Sequence, residues 1–196
     1  MNSLDIMVDL ETLAVNDSPV IIQLSGVIFD RMTGKTYEEF NELISPESGI
    51  TSGLSVNGDT VAWWLTQECK VIKDVFLKSI TSGKKLDKVL MAFSKFINDV
   101  KKTHNVESIS LWGNGILSDN LWIQSNFKAV GLAECFQYNE HRDVRTLVQV
   151  GIDILGKDFK KDTTFVGNEH NAIDDCHHQI KYCVKINKEL KKIANK

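Results

Sequence analysis

Several features that would narrow the class of protein are missing from the sequence. Its 196 residues include two prolines and four cysteines, and the cysteines form no CxxC pair. Neither a disulfide framework nor a zinc-binding pattern is therefore indicated. No apolar run approaches the roughly 20 residues that cross a bilayer, and the acids in the N-terminal run argue against a signal peptide. We expect a soluble cytoplasmic protein with reduced thiols and no membrane partner.

An excess of positive charge is missing as well. The formal net charge is −3, which excludes a strongly basic nucleic-acid coat. It does not exclude an enzyme whose metal ions supply the positive charge that phosphates need. The chain has 42% hydrophobic and 25% charged residues, with no repeat or low-complexity linker. These values predict a single globular domain over residues 1–196.

The hydrophobic pattern predicts an α/β fold. Three strand patterns open the chain, and the apolar spacing then changes to three and four residues. A meander followed by alternating helices and strands favours a mixed sheet with helices on its faces. Pro46–Gly58 is predicted to be a loop. The predicted strands are Leu4–Leu10, Val20–Asp30, Thr36–Ser45, Ser108–Trp112 and Cys135–Tyr138. The predicted helices are one capped by Asp59 or Thr60, Lys84–Thr103, one from a Ser118 cap to Ala129, Val144–Val150, and Asn171–Ala194.

Acidic residues stand at three element ends. Asp9 and Glu11 lie two apart at the end of the first strand, so both point to the same face. Two carboxylates there repel each other and resist desolvation unless a cation lies between them. For this pair alone, a solvent-facing strand end is the preferred explanation. Asp119 follows the mid-chain strand, where ligands gather in α/β sheets, or it is an acid favoured by a helix dipole.

The third feature is His170, with Asp175 five residues later, at the start of the last helix. The two side chains can meet at the helix mouth, although a capped helix start with acids in its first turn gives the same pattern. Each feature alone has an ordinary structural explanation. The three in order are more specific than any one of them.

The ordered set resembles the DnaQ-like exonuclease superfamily in its DEDDh form, which has a D-x-E motif, a mid-chain Asp and H-x4-D near the C-terminus. Further segments resemble the branch of phage exonuclease A (DexA-like), prophage exonuclease VIII-like proteins and a mycobacterial exoribonuclease. The likeness implies a ribonuclease H-like α/β fold, a five-stranded mixed sheet with the second strand antiparallel, and a phage or prophage protein acting in the host cytoplasm. The segments are MVDLET (7–12), GDTVAWW (58–64), LWGNG (111–115), SDN (118–120), HRDVRT (141–146) and EHNAIDD (169–175).

The resemblance also implies a two-metal mechanism with Mg²⁺ or Mn²⁺, ions that prefer oxygen ligands. Asp9 would bridge both metals, Glu11 and Asp175 would complete one site, and Asp119 would hold the other. His170 would act as general base towards the attacking water. Asp174 does not match the five-residue step and is interpreted as a surface or helix-start acid.

Substrate contacts are predicted near these acids. Tryptophans offer stacking platforms for bases, and one of the neighbouring Trp63 and Trp64 should line a groove because adjacent helical residues diverge. Trp112 and Trp122 are predicted to be core residues. Arg142 and Arg145 are each interpreted as a phosphate contact or a partner of surface acids. The predicted substrate-binding residues are Leu10, Thr12, Trp63, Trp64, Asn114 and Arg142.

The predicted activity is 3′→5′ hydrolysis of single-stranded nucleic acid to nucleoside 5′-monophosphates. DNA is slightly favoured by the likeness to phage proteins. The alternatives are an exoribonuclease of the same family and a catalytically silent module that binds nucleic acid or protein. A homodimer is possible because some relatives form one. His177, His178 and the lysines of the last helix are interpreted as solvated faces.

Overall fold

Residues 3–195 are described by a computed structural model, in which helices cover both faces of a five-stranded sheet. The strand order is β3-β2-β1-β4-β5. The first three strands form an antiparallel meander, and β4 and β5 join in parallel beside β1. Because β2 runs opposite to the other four strands, the expected mixed sheet with an antiparallel second strand is confirmed. The strands are β1 (Ser3–Thr12), β2 (Ile21–Phe29), β3 (Thr36–Leu43), β4 (Ser108–Gly113) and β5 (His141–Asp143).

The helices occupy the connections between strands and the C-terminal part of the chain. Two of the helical segments are π-helical, with wider turns than an α-helix. None of the helices within residues 3–195 combines the length and apolar character needed to cross a membrane. The helical elements are α1 (Pro46–Thr51), α2 (Gly58–Trp64), α3 (Cys69–Val71), a π-helix (Ile72–Leu77), α4 (Lys78–Ser82), α5 (Leu86–His104), a second π-helix (Ile116–Asn120), α6 (Leu121–Ala129), a 3-10 turn (Tyr138–Glu140), α7 (Val144–Leu155) and α8 (Ala172–Ala194).

The alternation along β1 divides the core into two layers. Ile6 and Val8 pack into the larger layer, which includes residues of α5 and α6. Met7 packs into the smaller layer, with residues of α7 and α8. Since side chains alternate along a strand, Asp9 and Glu11 share the face of Met7 and point towards α8.

Some element predictions were wrong. Pro46–Gly58 is not all loop, because Pro46 opens α1. Asn57, and not Asp59 or Thr60, caps α2 by accepting hydrogen bonds from both of their N–H groups. Ser118 lies inside a π-helix and is not a cap.

The last strand also lies elsewhere than predicted. The structure has no strand at Cys135–Tyr138, where the Phe136 side chain fills the larger core layer. β5 consists of the polar residues His141–Asp143, which pair with β4. The helical stretch Cys69–Ser82 was not predicted, because the π-helix within it breaks the usual spacing of apolar residues.

Candidate functional site

Three carboxylates meet where the end of β1 faces the first turn of α8. Oxygen atoms of Asp9, Glu11 and Asp175 all lie within 4.8 Å of one another. The two residues of β1 share one face because they are two apart, and α8 packs on that face. The structure therefore brings together acids that lie more than 160 residues apart in the sequence.

Asp119 adds a fourth acid from the neighbouring strand connection. β4 runs parallel to β1, and the π-helix that follows β4 carries Asp119 as a buried residue. The backbone N–H of Gly115 donates to its Oδ2 atom at 3.3 Å. Asp119 lies close enough for its charge to raise the pKa of Asp9 and of Glu11. π-helical turns occur frequently at functional sites.

The electrostatics of the four acids are unfavourable without a cation. Burial, followed by repulsion from the neighbouring carboxylates, raises the pKa of Asp9 and of Glu11 well above their ordinary values. Burial raises the pKa of Asp119 to about 6, against the effect of backbone N–H groups and of Arg145. It also raises the pKa of Asp175 to about 6. An all-oxygen cluster of this kind fits a hard divalent cation, which would remove the repulsion.

His170 is held beside this cluster by its backbone. Its N–H donates to Asp175 Oδ2 at 3.1 Å, and its backbone is left-handed with φ 62°. That conformation costs a non-glycine residue about 1 kcal/mol or more and is concentrated at functional sites. Asp174, which precedes Asp175, lies in the first turn of α8, as predicted. It accepts a hydrogen bond from the N–H of Asn168 at 2.9 Å. Both acids therefore restrain the segment that carries the histidine.

Gln179 belongs to the site and was not predicted from the sequence. Its Nε2 donates to Asp9 Oδ1 at 2.8 Å, its side chain is buried, and its Oε1 is buried without a hydrogen-bond partner within residues 3–195. The residue lies four positions after Asp175, on the same face of α8. That spacing is the sequence signal that would have found it.

A groove of about 410 Å³ lies beside the acids, between the end of β1 and α2. Trp63 is 41% exposed and contacts the His170 ring edge-on, with 4.9 Å between ring centroids. Trp64 is fully buried and donates from Nε1 to the Thr12 carbonyl at 2.9 Å, so its prediction as a substrate contact is wrong. The lining residues include the predicted Leu10, Thr12 and Trp63, together with Glu11, Val15, Asp59 and Thr60.

Three further residues were considered as polar contacts to the substrate: Arg142, Arg145 and Asn114. Arg142 Nη1 donates to the backbone carbonyls of Asn139 and His141 at 2.7 and 2.8 Å. Arg145 is exposed, and its charge opposes the upward shift of the Asp119 pKa. Asn114 is half-buried after β4, with Oδ1 buried and unpartnered within residues 3–195.

The two histidines of α8 are partly exposed, and each has a neighbouring side chain as a partner. His177 Nε2 lies 2.9 Å from Glu39 Oε1. His178 lies between Phe165 and Tyr182, with ring centroids 4.8 and 5.3 Å away. The core prediction for Trp112 agrees with its burial and with its hydrogen bond to Asp5 at 2.8 Å.

Comparisons with known proteins agree with this geometry. A family model described as the 3′-5′ exoribonuclease Rv2179c-like domain matches residues 4–187. No curated protein sequence matches the chain at a significant level.

Solved structures of several nucleases share the fold. Cell-death related nuclease 4 is 16% identical with a TM-score of 0.67, and the match covers 97% of this chain and 64% of that one. The nuclease domain of 3′hExo, a DEDDh family member bound to rAMP, is 14% identical with a TM-score of 0.60 over 96% and 93% of the two chains. E. coli exonuclease I, in complex with a dT13 oligonucleotide, is 11% identical with a TM-score of 0.60 over 98% and 43%. The chain thus spans less than two thirds of two of these proteins.

Proposed function

The chain belongs to the Rv2179c-like 3′-5′ exoribonuclease domain family, and from that premise we propose that it hydrolyses single-stranded nucleic acid from the 3′ end by a two-metal mechanism. Membership makes it a nuclease of the 3′-5′ exonuclease type. The observation that carries the two-metal proposal is the cluster of Asp9, Glu11 and Asp175, whose oxygens lie within 4.8 Å. Asp119 extends this cluster towards β4.

The carboxylates would divide between two Mg²⁺ or Mn²⁺ ions. Asp9 lies centrally and would be shared, Glu11 and Asp175 would complete one site, and Asp119 would hold the other. Two bound cations of this kind neutralise phosphate charge and favour both the ionised attacking water and the departing 3′ oxygen. The burial and mutual repulsion of the acids support this assignment, because they make the metal-free cluster unfavourable.

His170 would act as the general base. One of its ring nitrogens takes the proton of the water that attacks the terminal phosphodiester, and an imidazole performs such transfers near neutral pH. The oxygen of that water bonds to phosphorus as the bond to the 3′ oxygen breaks. The products are a nucleoside 5′-monophosphate and a strand shortened by one nucleotide with a free 3′-hydroxyl. The hydrogen bond from the His170 N–H to Asp175 keeps the base beside the acids.

The groove beside Trp63 would take the terminal nucleoside. The Trp63 indole is partly exposed next to His170. Stacking on an aromatic ring tolerates any base. The family description supports RNA, whereas the oligonucleotide in exonuclease I supports DNA. We propose single-stranded 3′ ends as the substrate, and the test compares RNA with DNA.

The test is degradation of 5′-labelled RNA and DNA 12-mers of equal sequence with Mg²⁺, with Mn²⁺ and with EDTA. We expect a ladder that shortens from the 3′ end with either metal and no shortening in EDTA. Asp9→Asn should abolish the ladder, whereas Asp153→Asn, which changes an exposed acid of α7, should keep it. Folded, metal-supplied protein that binds both strands without shortening either would contradict the proposal and favour a binding module. The ratio of the shortening rates of RNA and DNA shows which of the two the protein prefers.

A further inference from the structure

Lysines form a continuous stripe along α8. Lys181, Lys185, Lys188 and Lys192 are spaced by four, three and four residues, which places them on one face of a helix. All four are exposed. The apolar face of α8 is already buried against the sheet, so the lysines project from the outer side.

The segment before α8 adds Lys160 and the aromatic ring of Phe159 to this stripe. Lys185 Nζ lies 3.1 Å from Thr163 Oγ1, which fixes the segment against the helix. The half-buried ring of Phe159 lines a groove of about 480 Å³, whose other lining residues are one acid, Glu189, together with Asn195 and the lysines at 185, 188, 191 and 192. A groove of lysines around an aromatic ring is typical of surfaces that follow a single nucleic-acid strand.

The stripe begins at the candidate site. Lys181 follows Gln179 by two residues on α8, and the Gln179 side chain donates to Asp9 Oδ1 at 2.8 Å. Lys160, Lys181 and Lys185 all lie near His178, whose pKa is lowered first by burial and then by these lysines. From Asp175 to Lys192 the helix advances about 25 Å at 1.5 Å per residue. A strand whose 3′ end reaches the carboxylates can therefore continue along the helix.

The charge of this region differs from that of the whole chain. Within residues 157–196 nine lysines stand against six acidic residues, although the formal net charge of the chain is −3. Lys192 pairs with Glu189. The side chains of Lys160, Lys181 and Lys191 form no ion pair or hydrogen bond within residues 3–195.

We propose that this lysine track, comprising Lys160, Lys181, Lys185, Lys188, Lys191 and Lys192, binds the phosphates of the substrate strand upstream of its 3′ end. The inference rests on the proposed function, and it assigns a binding surface for the body of the strand. An anionic membrane is the less fitting polyanion. A membrane-bound helix lies with an apolar face in the lipid, whereas the apolar face of α8 is buried in the protein.

The test is binding of a labelled single-stranded 12-mer in EDTA, measured by fluorescence anisotropy over a range of salt concentrations. The variant Lys160→Gln/Lys181→Gln/Lys191→Gln removes three charges whose loss breaks no contact within residues 3–195. We expect its affinity to fall on the order of tenfold or more near 0.1 M salt. The slope of log Kd against log salt should fall by about 2, since each phosphate contact on a single strand contributes about 0.7.

The matched control is Lys85→Gln/Lys102→Gln/Lys128→Gln, which removes the same charge from exposed lysines whose side chains likewise form no ion pair or hydrogen bond within residues 3–195. Thermal melting of both variants shows that each is folded. Equal affinities of the two variants for the 12-mer overturn the proposal. Wild-type protein that binds phosphatidylserine vesicles but not the 12-mer also overturns the proposal. A wild-type protein that binds through the track yet never shortens the strand with metal leaves the track standing and defeats the proposed function.

Discussion

At the scale of single residues, a neutral side chain organises the central acid. Gln179 donates to Asp9 at 2.8 Å and is buried. An amide donor fixes the direction of a carboxylate without adding charge to a cluster that already repels itself. Gln179 is therefore a positioning residue that acts through Asp9.

Replacing Gln179 with Leu should weaken Mn²⁺ binding by about 10- to 100-fold, the usual effect of losing a partner of a metal-binding side chain. Isothermal titration calorimetry measures this directly. Gln149→Leu is the control, because Gln149 donates to Asp153 at the same 2.8 Å on the exposed face of α7. Similar losses in the two variants would show that Gln179 has no special role.

The two adjacent tryptophans should respond oppositely to replacement by alanine. Trp64→Ala removes a fully buried ring and its hydrogen bond to Thr12, and we expect a loss of about 3–5 kcal/mol in urea unfolding. Trp63→Ala removes a ring on a residue that is 41% exposed, and the loss of one stacked base should raise KM roughly tenfold. Its urea midpoint should stay close to that of wild type. An unchanged KM for Trp63→Ala would remove this residue from the substrate groove.

At the scale of elements, the π-helix after β4 places Asp119. A Cβ atom at Gly113 would lie 2.3 Å from Asn120 Oδ1 and 2.8 Å from Asp119 Cβ. The absence of a side chain at Gly113 is thus what lets this turn close against the strand end.

Gly113→Ala should displace the π-helix and lower both the Mn²⁺ affinity and the cleavage rate by about tenfold or more, with a stability loss of about 1–3 kcal/mol. Gly58→Ala is the matched change, since nothing lies within 4 Å of a Cβ added there. Calorimetry, a cleavage assay and thermal melting compare the pair. Wild-type affinity and rate in Gly113→Ala would mean that the turn tolerates the methyl group.

The sequence predicts elements well where a simple period governs them. The alternation in β1 places Asp9 and Glu11 on one face, whereas the choice of Asp175 over Asp174 rests on the H-x4-D motif of the family that the chain resembles. The five-stranded count and the antiparallel β2 come from family resemblance, because periodicity does not specify strand order. A π-helix has no such period, so the setting of Asp119 could not be predicted.

Other misses depend on contacts between distant segments. β5 is a short polar strand that exists through its pairing with β4, and no alternation marks it. Adjacency alone does not say which of Trp63 and Trp64 faces the core, because the rotation of α2 about its own axis decides it. His178 packs against Phe165, which the preceding segment supplies.

At the scale of the whole molecule, the acidic cluster makes stability depend on pH and on metal. Asp119 and Asp175 have folded pKa values of about 6, above the usual value near 3.9 for an unfolded chain. The folded state therefore holds protons that the unfolded state has released. The resulting penalty is absent below pH 4, grows as the pH rises, and is fully present above pH 6.

We expect divalent metal to raise the melting temperature more at pH 8 than at pH 5.5, with a difference in stabilisation on the order of 1–3 kcal/mol. Differential scanning calorimetry with Mn²⁺ and with EDTA measures it. Metal-free Asp9→Asn should melt above metal-free wild type at pH 8, and Asp153→Asn should not. Equal metal effects at the two pH values would show that the acids do not repel one another as described.

The order of the acids along the chain has a consequence for protein synthesis. The ribosome delivers Asp9 and Glu11 first, Asp119 midway, and Asp175 only with the last helix. A nascent chain can form the antiparallel meander early, but it lacks the third member of the acidic triplet until α8 has emerged. A chain that stops before Asp175 would therefore lack the complete acidic triplet, whatever the state of its folded meander.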